Sequence, residues 1–429
     1  MTAGLLPRWR LAYCVPAVRY AQGQEMSRRI MTGLALVLLG GLVGGVVVQT
    51  RRTGPVLRIV AVGRNPSTVA VDAQTGRAFI ANTDSNSVSV LDTTTGGLVR
   101  TVHVGLYPKA MAVDAQTGRI FVANSGGDSP SVSMLDARSG LVLRTVHVGA
   151  PPSGMAVDTR TGRVFVTTLL GSGVSVLDAR SGRILRTIAM DGQNLYMVAL
   201  AERTGRLFAI TADHVNVLDA RSGRVLRTVR VGDTPLAVAV DAQTGRAVVT
   251  AHIPNSHGDV LGILDATSGR LLGTVPVGRD PFRVLVDPRR GRAVVANDED
   301  GTVSVLDVRS GAGKERTVAV GTDPIDMAVD TRTGRAFIVN RGSDSVSVLD
   351  EQYRTAPRTL LLGVHPQAVA VDERTGHVMI ATAGGALAGP DAWRWVPQEL
   401  RRWLPLLPAP WRHARLVPPR VIVLDESRL

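Results

Sequence analysis

One phrase, A-V-D-x-x-T-G-R, recurs along most of this 429-residue chain and constrains what the chain can fold into. Consecutive copies stand 40 to 46 residues apart. The aspartate of the phrase is found at Asp72, Asp114, Asp158, Asp241, Asp287, Asp330 and Asp372, and an eighth copy carries Ala201 at that position. A period of this length is typical of repeat architectures in which each unit buries its apolar surface against its neighbours.

Each repeat also contains a second phrase, V-L-D, and four short runs of strand-forming residues. The second phrase ends at Asp92, Asp136, Asp178, Asp219, Asp265, Asp307, Asp350 and Asp425. In the first repeat the runs predict strands A to D at 69–72, 77–81, 87–92 and 98–104. Eight such units predict an all-β fold over residues 56–429, an eight-bladed β-propeller of four-stranded antiparallel blades.

The recurring polar residues fit the chemistry of turns. In the segment 72–77, DAQTGR, the aspartate carboxylate can accept backbone N–H bonds while the glycine adopts a positive φ. The segment 178–183, DARSGR, repeats this pattern between strands C and D. We therefore interpret the regularly spaced aspartates as turn residues rather than as metal ligands or acid/base catalysts.

The strand count predicts how the ring closes. Only four residues follow Asp425, so the last unit lacks its strand D. Residues 56–63, VLRIVAVG, match the strand-D segment 98–105, LVRTVHVG. The N-terminal strand is therefore expected to complete the C-terminal blade, which removes an open sheet edge.

The segment before the propeller predicts a membrane anchor. Residues 30–48 carry no charge and are flanked by the arginine pairs 28–29 and 51–52. A helix of that length spans about 28 Å, roughly a bilayer core. No small-residue cleavage site follows, which favours an anchor over a cleaved signal peptide. We expect a cytoplasmic lead at 1–29, a transmembrane helix at 30–48, a linker at 49–55 and a propeller outside the cytoplasm, in the periplasm or at the cell surface.

Two features of the lead limit its interpretation. Met26 is an alternative start, which would make residues 1–25 non-native. Cys14 is the single cysteine, so no disulfide within one chain can stabilise the fold.

The net charge of +13 is concentrated outside the repeats. Residues 1–55 hold +6 and residues 384–420 hold +4, which leaves +3 for the rest of the chain. A nearly neutral propeller body argues against nucleic-acid binding, which is kept as a lesser alternative.

The residues of strands B and C resemble a known family. The segment 79–82, FIAN, followed by 85–92, SNSVSVLD, is similar to the namesake strand pair of YVTN-type β-propeller repeat proteins, and 121–124 and 337–340 repeat it. The resemblance covers residues 56–383 and 420–429. It implies a surface, scaffold or binding protein, with DNA binding described for some relatives, and it implies no catalytic motif or cofactor.

The same residues bear on two enzymatic alternatives, a quinoprotein dehydrogenase and a propeller lactonase. The segment 176–183 resembles the blade motif of eight-bladed quinoprotein dehydrogenases, but Arg186 stands where that motif has tryptophan. Propeller lactonases use channel carboxylates and amides around a metal, and the inner strands here carry mainly Val, Ala and Met. His252, His257 and Asp259 are weak metal candidates, which we interpret as a solvated loop. No catalytic residue and no cofactor are predicted.

The loops that differ between blades predict the binding surface. At the start of each inner strand the repeat holds Ser67, Lys109, Ser153, Tyr196, Leu236, Phe282, Ile325 and Gln367, followed by positions such as Met197, Arg283 and Asp326. These residues should ring one mouth of the central channel. We expect Lys109, Tyr196, Phe282, Arg283 and Asp326 to contact a protein or cell-envelope ligand there.

A long insertion interrupts the last blade at residues 384–419. It holds Trp393, Trp395, Trp403 and Trp411, and its middle fits a short helix. It should emerge on the mouth face. A flap packed on its own blade, partner binding and interfacial membrane contact are the three alternatives, and Trp393, Trp395 and Trp403 are the candidate contacts.

The opposite face, formed by the A–B and C–D turns, is nearly uniform and rich in arginine. It displays Arg77, Arg119, Arg138, Arg163, Arg180, Arg183, Arg206, Arg221, Arg224, Arg246 and Arg335. The predicted tether joins a strand that starts on this face. We therefore expect the turn face to lie towards the bilayer, with the arginines near anionic headgroups.

Overall fold

The computed structural model describes residues 55–429 except for 172, 191, 255–257, 310–313, 354–356, 363–364 and 387–415. Within the described part of the chain, no helix is long and apolar enough to cross a bilayer. The predicted anchor at 30–48 lies outside the described residues, so the anchor stays a prediction.

Eight four-stranded antiparallel sheets form the blades of a propeller, and the first described strand, β1 (Val56–Ala61), belongs to the last of them. Blades 1 and 2 consist of β2 (Pro66–Asp72), β3 (Arg77–Asn82), β4 (Ser87–Asp92) and β5 (Leu98–His103), and of β6 (Pro108–Asp114), β7 (Arg119–Asn124), β8 (Ser131–Asp136) and β9 (Val142–His147). Blades 3 and 4 consist of β10 (Pro152–Asp158), β11 (Arg163–Thr168), β12 (Val174–Asp178) and β13 (Ile184–Ile188), and of β14 (Met197–Ala201), β15 (Arg206–Ile210), β16 (Val215–Asp219) and β17 (Val225–Val229).

The second half of the ring has the same strand order. Blades 5 and 6 consist of β18 (Thr234–Asp241), β19 (Arg246–His252), β20 (Val260–Asp265) and β21 (Leu271–Pro276), and of β22 (Arg283–Asp287), β23 (Arg292–Asn297), β24 (Thr302–Asp307) and β25 (Lys314–Ala319). Blade 7 consists of β26 (Pro324–Val329), β27 (Ala336–Asn340), β28 (Ser345–Leu349) and β29 (Arg358–Leu361). Blade 8 consists of β30 (Pro366–Asp372), β31 (His377–Thr382), β34 (Arg420–Asp425) and β1.

A few short elements complete the chain. Between β31 and β34, β32 (Gly385–Ala386) pairs with β33 (Leu416–Val417) at the base of the insertion. Single 3₁₀ turns lie at Thr83–Ser85 and Glu426–Arg428.

The ring closes as predicted, with an N-terminal strand completing the last blade. In the pairing of β1 with β34, Ile59 lies opposite Ile422 and Val60 lies opposite Val421. The innermost strand of each blade packs against those of both neighbours, and β30 packs against β2. The predicted closure is therefore confirmed, and the C-terminal blade has no open edge at β34.

The hydrophobic core is a set of layers between neighbouring blades. The layer between blades 1 and 2 joins Phe79 and Val90 to Ile120, Val122 and Leu135, all fully or almost fully buried. The layer at the closure joins Met379, Ala381 and Val423 of blade 8 to Ala78 and Ile80 of blade 1. Because each blade buries both faces against neighbours, the ring depends on every blade and on the closing strand.

A buried polar contact explains the F-x-x-N and S-x-S residues of the repeat. Asn82 is fully buried at the end of β3, and its Nδ2 donates to Ser87 Oγ at 3.2 Å and to Ser89 Oγ at 3.0 Å. Equivalent bonds are made by Asn124, Asn297 and Asn340. The contact joins strand B to strand C. It gives hydrogen-bond partners to an amide N–H₂ group that water does not reach.

One predicted boundary is wrong. Strand A of blade 1, predicted at 69–72, begins at Pro66. The register slips between Pro66, which lies opposite Asn82, and Thr68, which lies opposite Ala81. The residue between them is a bulge, and proline is accepted at the start of a strand because its missing N–H is not needed there.

Candidate functional site

The bulge at the start of the inner strands positions the residues that the sequence indicated for the channel mouth. The residue that follows the proline is skipped by the strand pairing in blades 1, 2, 3, 5, 7 and 8. In blade 2 this residue is Lys109, which is exposed. Bulges turn a side chain away from the regular pleat. Six of the eight blades therefore offer one variable, redirected side chain at this end of the ring.

Two of the predicted residues form an ion pair between blades. Arg283 is the first residue of β22 in blade 6, and Asp326 is the third residue of β26 in blade 7. Arg283 Nε lies 3.3 Å from Asp326 Oδ1, with side-chain exposures of 40% and 17%. Asp326 Oδ2 also accepts the backbone N–H of Val369 in blade 8 at 3.0 Å. Burial raises the pKa of Asp326, and the positive charge of Arg283 opposes that rise.

The mouth also carries exposed aromatic side chains. Five of the six phenylalanines lie in the core, at Phe79, Phe121, Phe165, Phe208 and Phe337, and none of these is exposed to solvent. Phe282, directly before β22, is 47% exposed. Tyr196, directly before β14, is 46% exposed, and Tyr107, directly before β6 of blade 2, is 51% exposed. The described aromatic side chains that are exposed therefore lie at this face.

The predicted residues do not form one cluster. Phe282 and Arg283 are consecutive, and Arg283 contacts Asp326. Lys109 in blade 2 and Tyr196 in blade 4 belong to other sectors of the ring, and no contact joins their side chains to that pair within the described residues. The mouth is thus a ring of separate contact points rather than a single pocket.

An acidic group near the mouth was missed from the sequence. Asp280 and Asp323 precede the prolines that open blades 6 and 7, and Asp298 follows β23. The backbone N–H of Asp298 donates to the carbonyl of Asp280 at 2.8 Å. Burial, with added repulsion from Asp323 and Asp280, raises the pKa of Asp298 to about 6. The signal in the sequence was the G-x-D-P pattern, which only blades 6 and 7 share.

In the histidine loop of blade 5, a buried aspartate binds two backbone N–H groups and one of the histidines. Asp259 is 2% exposed and accepts the N–H groups of Ile253 and Asp280, each at 2.7 Å. His252 Nδ1 lies 3.0 Å from an oxygen of the same carboxylate. His257 lies outside the described residues. Within the described ranges no group of three or more His, Cys, Asp or Glu side chains could hold a metal ion.

The turn face confirms the structural interpretation of the repeated aspartates. Asp72 Oδ1 accepts the N–H of Gln74 at 3.0 Å, its Oδ2 accepts the hydroxyl of Thr75 at 2.8 Å, and Gly76 has a φ of 65°. Between strands C and D, the Ser181 hydroxyl and N–H both donate to Asp178, which lowers the pKa of that carboxyl. These aspartates are turn residues.

Several arginines of the turn face are tied to the strand-C aspartates. Arg119 lies 2.8 Å from Asp136, and Arg206 lies 2.6 Å from Asp219. The same pair joins Arg77 to Asp92 and Arg246 to Asp265. The charge of this face is therefore lower than its arginine count indicates.

The tryptophan-rich insertion adds nothing to the described geometry. Trp393, Trp395, Trp403 and Trp411 lie outside the described residues. The two-residue ladder of β32 and β33 shows that the insertion leaves blade 8 between β31 and β34.

The fold defines the class of protein, an eight-bladed β-propeller with a variable mouth and a uniform turn face. No model of a known protein family matches the chain, and no curated protein matches it. Membership in the YVTN-type repeat family therefore stays a prediction.

Solved structures provide likeness in fold. The chain is similar to the Kuenenia stuttgartiensis hydrazine synthase, at 19% identity and a TM-score of 0.55 over 72% of this chain and 99% of that one. It is also similar to the computationally designed Ika8 protein, at 14% identity and a TM-score of 0.63 over 77% and 97%. The dihydro-heme d1 dehydrogenase NirN, solved in complex with DHE, matches at 15% identity and a TM-score of 0.61 over 76% and 73%. At these identities the likeness concerns the fold alone.

Proposed function

We propose that this chain is a binding module that uses the channel mouth to hold a protein or cell-envelope ligand. The observation that carries the proposal is the placement of Phe282, which is 47% exposed in a ring whose other phenylalanines are completely buried. Exposed aromatic side chains on a rigid scaffold are the usual anchors of a binding surface. The rest of the ring is held constant by turn chemistry, whereas this face differs from blade to blade.

The charged groups beside Phe282 give the surface its selectivity. Arg283 and Asp326 are only partly desolvated, so a ligand can complete the contacts that the pair leaves open. The loops of blades 6 and 7 add Asp280, Asp298 and Asp323. This sector favours a ligand that presents a basic group next to an apolar one, as a peptide segment with lysine or arginine does.

A capture experiment with matched variants tests this proposal. The propeller segment 55–429 is immobilised, incubated with an envelope extract of its own cell, and the captured ligand is then titrated against each variant. Replacing Phe282 and Arg283 together by alanine should weaken binding at least ten-fold, which corresponds to about 1.4 kcal/mol. Excising residues 387–415 tests the insertion separately.

The control is an equal change on the other face. Arg180 and Arg183 are exposed on the turn face of blade 3, and their double alanine variant should change binding less than two-fold. If the mouth variants bind as the wild type does while this control loses the ligand, the proposal is wrong.

We further propose that the turn face lies towards the membrane that the predicted anchor enters. Exposed arginines such as Arg138, Arg180 and Arg221 lie at this end of the blades. Exposed aliphatic side chains lie at the start of the outer strands, at the same end, and include Leu98, Leu141, Leu185, Leu226 and Leu272. Apolar groups interspersed with arginine suit the interface of an anionic bilayer.

Vesicle binding checks the orientation. The segment 55–429 should bind vesicles with anionic lipid, should bind neutral vesicles less, and should be released as salt rises because headgroup attraction is screened. Because many of the arginines are paired with aspartates, a several-fold preference is expected rather than a large one. Equal binding to neutral and anionic vesicles would contradict the electrostatic part of the proposal.

A further inference from the structure

The turn D-T-R-T-G-R occurs twice, at 158–163 in blade 3 and at 330–335 in blade 7, four blades apart. Each copy borders a groove towards the next blade. The groove between blades 7 and 8 has a volume of about 850 Å³, and the groove between blades 3 and 4 has a volume of about 390 Å³.

The same interblade contact builds both grooves. The N–H and hydroxyl of Thr331 donate to Glu373 of blade 8 at 2.9 and 3.1 Å. In the other groove the N–H and hydroxyl of Thr159 donate to Glu202 of blade 4 at 3.5 and 3.0 Å. The two grooves are therefore structural equivalents with the same polar framework.

A carboxyl group of the chain itself fills the groove between blades 7 and 8. Glu426 is 2% exposed, and its Oε1 accepts the hydroxyl of Thr333 at 2.5 Å. The guanidinium groups of Arg332 and Arg335 each lie 3.8 Å from its carboxyl oxygens. The two arginines and the threonine of the D-T-R-T-G-R turn thus surround one carboxyl group.

The second oxygen of this carboxyl faces another acid. Glu426 Oε2 has no hydrogen-bond donor among the described residues, and it meets the buried carboxyl of Asp330. Two carboxyl groups in contact need one proton between them, which is held on Glu426 while Asp330 stays ionised. The groove therefore accommodates a protonated acid group whose oxygen accepts from the turn and whose O–H donates to the aspartate.

The groove between blades 3 and 4 lacks this internal carboxyl. Ala220 occupies the position of Glu426, since its N–H donates to Gly205 at 2.9 Å as that of Glu426 donates to Gly376 at 3.0 Å. The next residue is Arg221, where blade 8 has Ser427. The exchange removes a carboxyl group and adds a positive charge.

The groups that would hold an oxyanion are unused in this groove. The guanidinium groups of Arg160 and Arg163 and the hydroxyl of Thr161 have no hydrogen-bond or ion-pair partner among the described residues. Asp158 is 2% exposed, its Oδ1 accepts the N–H of Thr161 at 3.1 Å, and its Oδ2 has no partner in the described part of the chain. In blade 1, by contrast, the hydroxyl of the equivalent threonine, Thr75, donates to the aspartate of the same turn, Asp72.

We propose that the groove between blades 3 and 4 binds a phosphate or phosphate monoester that keeps one proton. Arg160, Thr161 and Arg163 would bind its negative oxygens, Arg221 would add positive charge, and Asp158 would accept its O–H. A free carboxylic acid has lost its proton at neutral pH, whereas a phosphate monoester still carries one at and below its second pKa of about 6. The site lies on the turn face, opposite the mouth, so it is independent of the ligand binding proposed for the mouth.

A comparison of phosphate with sulfate distinguishes this proposal from non-specific attraction of anions to the arginines. Both ions are titrated against the full-length chain near pH 6.5 at matched ionic strength, with thermal unfolding as the readout. Sulfate has no proton to donate to Asp158. The concentration of phosphate that gives half of its maximal stabilisation should therefore be at least ten-fold lower than that of sulfate. Replacing Ala220 by glutamate supplies the internal carboxyl and should abolish the difference between the ions.

Further variants keep the test decisive if Ala220→Glu folds poorly. Arg163→Gln removes one oxyanion contact and should raise the half-saturating concentrations of phosphate and of sulfate several-fold, whereas Arg138→Gln, an exposed arginine of blade 2, should leave both unchanged. Ala137→Glu, at the same repeat position in blade 2, should lower the melting temperature more than Ala220→Glu, because the turn it faces has glutamine at position 74. Equal effects of phosphate and sulfate on the wild type, a difference that survives in Ala220→Glu, or an Arg163→Gln variant that responds to both ions as the wild type does, would overturn the proposal.

Discussion

Replacing Val60 by aspartate is expected to lower the free energy of unfolding by ~3 kcal/mol or more, because a charge would enter the layer that closes the ring. Val60 is 9% exposed and packs with Val421 and Val423 of blade 8. Deleting residues 56–62 should have a still larger effect, since it removes the strand that covers β34. With total stabilities of about 5–15 kcal/mol, that deletion should leave the ring largely unfolded.

The neighbouring residue supplies the control for this prediction. Ile59 lies on the same strand but is 52% exposed, so Ile59→Asp should change the free energy of unfolding by less than about 1 kcal/mol. Urea unfolding of the segment 55–429, followed by circular dichroism, measures both variants. Equal effects at positions 59 and 60 would show that β1 does not close the ring.

Stability should also fall as pH rises, because of Glu426. Burial and the adjacent Asp330 raise the pKa of Glu426 from 4.5 to about 7. The folded chain therefore holds a proton that the unfolded chain loses, so the folded state is favoured below pH 4.5 and loses this advantage up to about pH 7. The whole effect is at most about 3 kcal/mol. Asp330, whose pKa is lowered, acts in the opposite direction only at more acidic pH.

Comparing Glu426→Gln with the wild type at two pH values separates the effect of Glu426 from the effects of other titrating groups. The stability of Glu426→Gln relative to the wild type should increase between pH 5 and pH 8, by about 1–3 kcal/mol in urea unfolding. Glu351 holds the same repeat position in blade 7 but is exposed, so Glu351→Gln should show no such change. A Glu426→Gln difference that is the same at both pH values would contradict the shared-proton arrangement.

Most of the fold could be predicted because local and long-range signals agree in every repeat. The A-V-D and V-L-D phrases mark strand ends, and aspartate and glycine mark the turns between them. The likeness between 56–63 and 98–105 was enough to predict the closure that β1 and β34 make. The start of strand A lies before the predicted one because a bulge places Pro66 inside the strand.

The candidate site was predictable only in part. The variable position in each inner strand pointed to Lys109 and Phe282, since it differs from blade to blade. The contact between Arg283 and Asp326, and the raised pKa of Asp298, depend on how loops of separate repeats meet and lose water, which a linear pattern does not contain. Glu426 carried a weak signal, because the residue after V-L-D is alanine, valine or threonine in six blades.

The mouth, and not the turn face, is expected to be the surface that holds a partner. Site-specific photo-crosslinking in the native envelope distinguishes the two faces, with benzoylphenylalanine placed at position 282 in one chain and at position 180 in another. Both positions are exposed, and the first change keeps an aromatic ring. We expect a discrete crosslinked adduct from position 282 that is lost in the Arg283→Ala background, and no adduct of that size from position 180. An adduct from position 180 with none from position 282 would contradict it.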